Sequence, residues 1–300
     1  MPSSPLVSFI IPVYNDPNGL RDTLESVTSQ RDAPPFEVLV VDNDSTDETP
    51  AIIDAFESEY PDVVSGYTET DVQSSYAARN TGLERATGDI IAFLDADETV
   101  GKNWLETALE ARNEQDAAYL GCAVKLTLES ETLVGRYNSR TGFPVQAYLQ
   151  EENYAPTCAL LVRREVFEDV GAFDSRLISG GDIEFGHRVA AADYVQGYAE
   201  DATVSHPART SLESIAKKNF RVGRGFCQKQ RYYPDRYGRP GIPPTPTGSG
   251  SSDHGDEPDS IATRVAFTIL SVAMLACRGL GYYYEFLFGT EQMATHSLSR

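Results

Sequence analysis

Short apolar runs alternate with amphipathic stretches over the first hundred residues of the chain. The apolar runs predict buried strands at residues 6–11, 36–41, 63–67 and 90–94. Apolar positions at helical spacing predict helices at residues 17–30, 46–60 and 74–86. This βαβ order indicates an α/β fold with a mostly parallel central sheet flanked by helices. In such a sheet, ligands bind beyond the carboxyl ends of the strands.

The middle third has a less regular pattern. It predicts strands at residues 118–128, 158–163 and 202–205, and helices at residues 104–112 and 182–192. From residue 239 onward Pro, Gly, Ser and Asp dominate, which is typical of a flexible linker or surface loop. We therefore expect an α/β domain over residues 1–238, a linker over 239–260 and an apolar helical segment over 261–300.

The C-terminal segment leaves three interpretations open. Residues 265–277 carry no charge, but Arg278 interrupts the apolar run before it reaches the length that a membrane span needs. The segment therefore predicts an interfacial or re-entrant membrane helix first, a helix packed on the protein body second, and a true span third. The N-terminus lacks the regions of a signal peptide, so we expect the α/β domain on the cytoplasmic side of the membrane.

The chain is strongly acidic, with 45 Asp and Glu against 25 Lys and Arg and a formal net charge of -20. This charge argues against nucleic-acid binding, because phosphate backbones attract basic surfaces. The carboxylates are spread along the whole chain, which favours adaptation to a high-salt cytoplasm over a single acidic tail. The four cysteines lack metal-ligand spacing and are interpreted as small buried hydrophobic residues.

The clearest chemical signal is the segment LDADE at the end of the predicted strand 90–94. Asp95 and Asp97 are separated by one residue and follow a buried strand directly. Two neighbouring carboxylates repel each other, and a divalent cation removes that repulsion. Hard oxygen ligands suit Mg²⁺ or Mn²⁺, with phosphate oxygens completing the coordination. An acidic turn after a strand is the alternative interpretation.

Three weaker segments precede it in the chain. PVYN follows the first predicted strand, VDNDSTD follows the second, and ARNTG lies in the third predicted helix. Asp42 or Asp44 can accept a hydrogen bond from a nucleobase or a ribose, while the residues after them suit a helix start. Arg79 can bind a base carbonyl or a diphosphate.

Together the four segments resemble the family 2 inverting glycosyltransferases with the GT-A fold, over about residues 5 to 225. The resemblance implies binding of a nucleotide-sugar donor and of Mn²⁺ or Mg²⁺. It implies metal binding by Asp97 and His206, the latter following the predicted strand 202–205. Contacts with the donor are implied for Pro12, Tyr14, Asn15, Asp42, Asp44, Arg79 and Asp95.

The resemblance also implies a general base on the acceptor side, because inversion is a single in-line displacement. The segment GGDIEF matches the family's acidic pair at a helix start, and Asp182 aligns with the base. The preceding acid of the family is Gly181 here, which is a departure from the pattern. Glu184 is the alternative base, and capping of the following helix is the structural interpretation of Asp182.

Basic residues are concentrated between residues 217 and 239, in a segment that includes FRVGRG. Arg221 and Arg224 in this segment are expected to bind substrate. A lid over the diphosphate, a site for an acceptor phosphate and contact with an anionic membrane are the open alternatives.

These observations predict an enzyme that transfers one sugar to a lipid-linked, dolichol-phosphate type glycan at the cytoplasmic membrane face. A UDP-sugar is the expected donor, and haloarchaeal N-glycan or cell-surface assembly is the expected setting. A nucleotidyltransferase is the first alternative, although PVYNDPNG lacks the Lys of that class's Gly-rich loop. A catalytically degenerate protein that binds sugar nucleotides as a scaffold is the second.

Overall fold

The computed structural model describes residues 6–128, 130–244 and 260–290. Its strands are β1 (Val7–Val13), β2 (Phe36–Asp42), β3 (Val64–Thr68), β4 (Ile90–Leu94), β5 (Thr99–Val100), β6 (Tyr119–Thr127), β7 (Ala159–Arg163) and β8 (Gln196–Pro207). Its helices are α1 (Pro17–Thr28), α2 (Thr49–Glu59), α3 (Ser75–Arg85), α4 (Trp104–Glu114), α5 (Leu133–Thr141), α6 (Val145–Glu152), α7 (Arg164–Val170), α8 (Gly181–Ala191), α9 (Leu212–Tyr232), α10 (Pro234–Tyr237) and α11 (Ile261–Phe288).

Within the described residues, the strands form one sheet in the order β3-β2-β1-β4-β7-β6-β8-β5. The pairs β1–β2, β2–β3, β1–β4 and β6–β8 are parallel, whereas β4–β7, β6–β7 and β5–β8 are antiparallel. The prediction of a mostly parallel sheet flanked by helices is therefore confirmed. Because two antiparallel steps restore direction, β6 and β8 point the same way as β1, β2, β3 and β4. The carboxyl ends of these six strands lie along one edge of the sheet.

The central strands are buried on both faces, as their continuous apolar sequences require. In β1, Phe9 and Ile11 pack into the core beneath α1, α2 and α4, whereas Ile10 packs into the opposite core beneath α3, α7 and α8. Each helix contributes one apolar stripe to its core, such as Leu20 and Leu24 of α1. The two cores fix the sheet between two helical layers.

The predicted strands and helices of the first third all occur, with ends shifted by a few residues. The last predicted strand, at residues 202–205, is in fact the second half of the longer β8, Gln196–Pro207. Its first half, QGYAED, has a polar sequence, but its residues Gln196 to Ala199 pair with β6. A bulge separates this pairing from that of the second half, which begins at Thr203. The sequence pattern also missed α5, α6 and α9. Helices α5 and α6 have only 9 and 8 residues, and the buried positions of α9 are mostly glycine and polar residues, so apolar side chains alone do not mark it.

Helix α11 packs along α9, so the apolar segment is part of the protein body. A Cβ atom at Gly223 of α9 would overlap the backbone carbonyl of Arg278, and one at Gly281 of α11 would overlap that of Phe220. The two glycines therefore allow a close helix crossing. The outer face of α11 is apolar and exposed, with Val272 64% exposed.

The predicted linker at residues 239–260 falls largely outside the described residues, which omit 245–259. The division at residues 238 and 260 therefore stays a prediction. The close α9–α11 contact shows that the segment after this stretch is not a separate body.

We expect Gly281→Ala to destabilise the protein by about 1–3 kcal/mol, because the added methyl group overpacks the helix crossing. The matched control is Gly279→Ala on the same helix, where a Cβ atom meets nothing within 4 Å. This control should be neutral or stabilising, because Ala favours a helix more than Gly does. Denaturant unfolding of both variants measures the difference. Equal stability of the two variants would contradict the packing of α11 on α9.

Candidate active site

Acidic and polar residues from distant parts of the chain meet at the carboxyl edge of the sheet. Asp42 is the last residue of β2, Asp95 directly follows β4, and His206 is the second-last residue of β8. The pairing of Thr99 with Ser205 in β5 and β8 brings the LDADE segment against His206. The arrangement follows from the shared direction of these strands.

Arg79 forms an ion pair with Asp95 that joins α3 to the end of β4. The side chain of Arg79 is only 3% exposed, whereas that of Asp95 is 36% exposed. The guanidinium of Arg79 also lies 5.7 Å from the centre of the Tyr76 ring. The Nε atom of Arg79 is buried and has no hydrogen-bond partner in the described part of the chain. Arg79 thus fixes one face of Asp95 and leaves its other face open.

Glu98 is a site residue that the sequence pattern did not single out, although it directly follows the two aspartates. It is fully buried, and its Oε2 accepts a hydrogen bond from the backbone N–H of Asp95 at 2.8 Å. Burial and the nearby Asp95 carboxylate raise its pKa well above the usual range. Its Oε1 has no hydrogen-bond partner among the described residues. Ligand atoms of Asp95, Glu98 and Cys158 lie within 4.8 Å of one another.

The carboxylate of Asp97 and the imidazole of His206 are close enough for their charges to interact. Burial raises the pKa of Asp97, while His206 opposes that shift and Asp95 adds to it. His206 is buried, its ring centre lies 5.6 Å from that of Phe143, and its Nδ1 lies 3.0 Å from the carbonyl oxygen of Pro207. A hydrogen bond from Nδ1–H to that oxygen leaves Nε2 as the acceptor nitrogen of the ring.

This set of groups fits a divalent cation. The carboxylates of Asp95, Asp97 and Glu98 are crowded, and a buried Glu98 oxygen lacks a partner. Carboxylate oxygens and an imidazole nitrogen are suitable ligands for Mn²⁺, and the carboxylates also suit Mg²⁺. Burial raises the pKa of Cys158, and its neutral thiol is a poor ligand for these hard cations.

The segments after β1 and β2 form a tied pair of turns beside this cluster. Asn15 accepts a hydrogen bond from the Thr46 N–H at 2.8 Å, and its own N–H donates to Ser45 Oγ at 2.8 Å. Asp42 is buried and accepts the Ser45 N–H at 3.1 Å. Asp44 is exposed and has a positive φ of 65°.

A cavity of about 750 Å³ opens next to these turns. Its lining includes Tyr14, Asn43, Ser74, Arg221 and Arg224. Of the predicted substrate-binding residues, Tyr14, Arg221 and Arg224 line the cavity, whereas Pro12 is buried inside β1.

Asp182 lies at the start of α8, beside Tyr76, and its charge interacts with that of Arg79. Its Oδ1 accepts a hydrogen bond from the Ile183 N–H at 3.0 Å. Burial raises the pKa of Asp182, and the positive charges of Lys229 and Arg79 oppose this shift.

Packing against Tyr76 explains why a glycine stands at position 181. A Cβ atom there would lie 2.8 Å from the Tyr76 ring, and the Gly181 N–H donates to the Tyr76 hydroxyl at 2.9 Å. The Tyr76 ring thus fills the space beside Gly181. This explains the departure from the acidic pair that the sequence pattern led us to expect.

Glu184, the alternative base, has a structural role. It is fully buried and forms an ion pair with Arg188 at 2.9 Å. Arg188 also donates to backbone carbonyls at the end of α7, including that of Ala172 at 2.7 Å. Glu184 therefore fastens α8 to α7.

Comparisons with known proteins agree with this geometry. The model of the family "Glycosyl transferase family 2" matches residues 8–171. The chain is a family 2 glycosyltransferase. It is 41% identical over 226 residues to Glycosyltransferase AglE of Haloferax volcanii, covering 75% of this chain and 74% of that protein.

A more distant relative is a Pre-mycofactocin glycosyltransferase of Mycobacterium tuberculosis. It is 32% identical over 237 residues, which are 74% of this chain and 47% of that protein. The chain therefore spans about half the length of the mycobacterial relative.

The solved structures similar to this protein share its fold. Mannosyltransferase PcManGT from Pyrobaculum calidifontis, solved with GDP-Man and Mn²⁺, has a TM-score of 0.60 at 18% identity, covering 97% of this chain and 77% of that one. S. aureus TarS 1-349 in complex with UDP-GlcNAc has a TM-score of 0.51 at 19% identity, covering 77% of this chain and 74% of that one. These likenesses confirm the expected fold, and the predicted apolar C-terminal segment forms helix α11.

We expect Glu184→Gln to lower the free energy of unfolding by about 3 kcal/mol, because it leaves the Arg188 guanidinium without its buried counter-charge. Asp182→Asn should be neutral or stabilising, because burial disfavours the ionised Asp182. Denaturant unfolding at neutral pH compares the two variants. If the two variants had the same stability, or Asp182→Asn the lower one, the structural assignment of Glu184 would be wrong.

Proposed function

We propose that the enzyme transfers one sugar, with inversion, from a nucleotide-sugar donor to a lipid-linked glycan acceptor of the dolichol-phosphate type. The observation that carries this proposal is that Arg79 links the two acidic parts of the site, through its ion pair with Asp95 and its charge on Asp182, while Asp97 interacts with His206. A metal-ligand set and a separate carboxylate base are the two parts that such a displacement requires.

The donor would lie across the carboxyl edge of the sheet. Its nucleotide would occupy the cavity lined by Tyr14 and Asn43, within reach of Asp42 and Asp44. Asp97 and His206 would hold Mn²⁺ or Mg²⁺, which stabilises the negative charge of a leaving diphosphate. Pro12 and Asn15 would act by shaping the turns, since Asn15 is bonded to Ser45 and Thr46.

Asp182 would act as the general base. An acceptor hydroxyl oxygen attacks the anomeric carbon, its proton passes to the Asp182 carboxylate, and the bond from that carbon to the diphosphate breaks. Burial favours this role, because the raised pKa makes the Asp182 carboxylate a better proton acceptor than an exposed aspartate.

A membrane location is supported by α11. Its outer residues Ile269, Val272 and Leu280 are 63%, 64% and 66% exposed. On its inner face Glu285 is 1% exposed and pairs with Arg224 at 2.9 Å. This pair holds α11 against α9, so we propose that α11 lies in the cytoplasmic membrane interface while attached to α9.

The similarity to AglE and the spread of acidic residues support a haloarchaeal protein-glycosylation setting for this proposal. The neighbouring structures carry either GDP-Man or UDP-GlcNAc, so both donor nucleotides are candidates for this enzyme. We propose a UDP-sugar as the donor, and the first experiment below compares the two nucleotides.

Donor binding tests the metal site. Calorimetry in high-salt buffer should show that one of UDP and GDP binds more tightly with Mn²⁺ than without it. Asp97→Ala should weaken the Mn²⁺-dependent binding by at least about tenfold, because it removes a metal ligand. The exposed Asp22 of α1 provides the control variant Asp22→Ala.

An Asp97→Ala variant that keeps metal-dependent binding would exclude Asp97 as a ligand. A folded protein that binds neither nucleotide would contradict the proposed donor site.

The pH dependence of transfer tests the base. The ionised Asp182 accepts the proton, so kcat/KM should fall as pH falls through its raised pKa. This fall should occur above pH of about 3.9, the ordinary value for an aspartate. Asp182→Asn should lower kcat by roughly 100-fold or more and remove this acidic limb. Retention of both the rate and the acidic limb in Asp182→Asn would rule out Asp182 as the base.

A further inference from the structure

The basic residues of α9 fall into two environments that the sequence could not distinguish. Arg224 and Arg231 both contact the carboxylate of Glu285 on α11, at 2.9 and 3.2 Å. Lys217 pairs with Glu213 one turn earlier, at 2.6 Å on the exposed surface. The charges of these three basic residues are matched by carboxylates.

Lys218 and Arg221 belong to the second environment, with Arg209 before α9 and Arg278 of α11. None of these four forms an ion pair with a carboxylate within the described ranges of the chain. We call them the cationic cluster. The carboxylate of Asp97 acts on Arg209 beyond the distance of an ion pair.

Packing holds the cationic cluster beside the proposed metal site. The ammonium of Lys218 lies 4.8 Å from the centre of the Phe143 ring, and that ring stacks on His206 at 5.6 Å between centres. Arg278 donates from Nη2 to the Asn219 side chain at 2.8 Å. Its Nε is buried and has no hydrogen-bond partner in the part of the chain that the structure describes.

Grouping four positive charges costs free energy. Burial and the charges of Arg209, Arg221 and Arg278 lower the pKa of Lys218 to about 8. Burial and Arg221 also lower the pKa of Arg209. Such an arrangement is stabilised when an anion with several oxygens binds to it, as phosphate groups do.

We propose that the cationic cluster of Arg209, Lys218, Arg221 and Arg278 binds the phosphate or diphosphate group of the lipid-linked acceptor. This inference rests on the proposed function and assigns a site to its acceptor. The cluster reaches from the neighbourhood of His206 to α11, whose other face exposes Val272 and Leu275. A lipid phosphate bound there would have its hydrocarbon chain against the apolar face of α11 and its glycan near Asp182.

The donor diphosphate is the competing occupant. Lys218 and Arg278 distinguish the two, because neither lines the cavity proposed for the nucleotide. Variants of Lys218 and Arg278 should therefore change acceptor binding and leave donor binding unchanged.

Vesicle binding of the full chain tests this site directly. The probes are phosphatidylcholine vesicles that contain a polyprenyl phosphate, the corresponding neutral polyprenol, or phosphatidylglycerol. The buffer contains molar potassium chloride, in which the Debye length is about 3 Å. Exposed charges that are farther apart than this are screened, so general attraction to an anionic surface is suppressed. Wild-type protein should prefer the polyprenyl phosphate vesicles, and added inorganic phosphate should compete for binding.

Lys218→Met and Arg221→Gln should each weaken binding to polyprenyl phosphate vesicles by roughly tenfold, since each removes a charged hydrogen-bond donor. Lys217→Met is the matched control on the same helix and should bind as wild type does. Calorimetry with UDP and GDP should show unchanged donor affinity for Lys218→Met.

Three results would overturn the proposal. The first is wild-type affinity for polyprenyl phosphate in both Lys218→Met and Arg221→Gln. The second is an equal loss toward phosphatidylglycerol vesicles, which would assign the cluster to the general membrane surface. The third is an equal loss of nucleotide affinity in Lys218→Met, which would assign it to the donor. A wild-type protein that binds polyprenyl phosphate but no nucleotide would refute the proposed function and leave this site standing.

Discussion

The ion pair between the buried Arg79 and the partly exposed Asp95 is the interaction on which the geometry of the site depends. It fixes the start of the LDADE loop to α3. Arg79 lies over the ring of Tyr76, and the hydroxyl of Tyr76 accepts the backbone N–H of Gly181. The residue after Gly181 is Asp182. One continuous set of contacts therefore sets the distance between the two acidic parts of the site, and a shift of Arg79 would move both.

Two kinds of buried or partly buried carboxylate have different roles in this enzyme: those with an arginine partner that stabilise the fold, and those crowded by other carboxylates at the proposed metal site. Glu184 and Glu285 are buried with arginine partners. Glu285 joins α11 to α9, and Glu184 holds Arg188, whose guanidinium joins α8 to the end of α7. Asp97 and Glu98 are crowded by other carboxylates, and both have raised pKa values. Groups of the first kind stabilise the fold without a ligand, whereas groups of the second kind become favourable when a cation binds.

Helix α11 connects the catalytic domain to a second kind of surface. Its inner face follows α9 through a glycine crossing and a buried polar network, and its outer face is apolar. A helix with both properties can contact an apolar environment through its outer face while its inner face stays packed on the protein body. The relation between the sheet edge and α11 thus sets how far from a membrane the chemistry would occur.

The sequence by itself determined the α/β class, the strands that end in acidic residues, and the family, because short-range apolar periods and contiguous motifs carry that information. Asp95 and Asp97 were identified in this way. Glu98 was missed because its importance depends on burial, which a sequence motif does not show. Helix α9 was missed because its buried positions are mostly glycine and polar residues, which an apolar pattern does not mark. Only the tertiary structure separated Arg224, neutralised by Glu285 sixty-one residues later, from Lys218, which has no such partner among the described residues. Partners of a charged side chain are set by long-range packing, and residues of the same type in one helix can therefore have different roles.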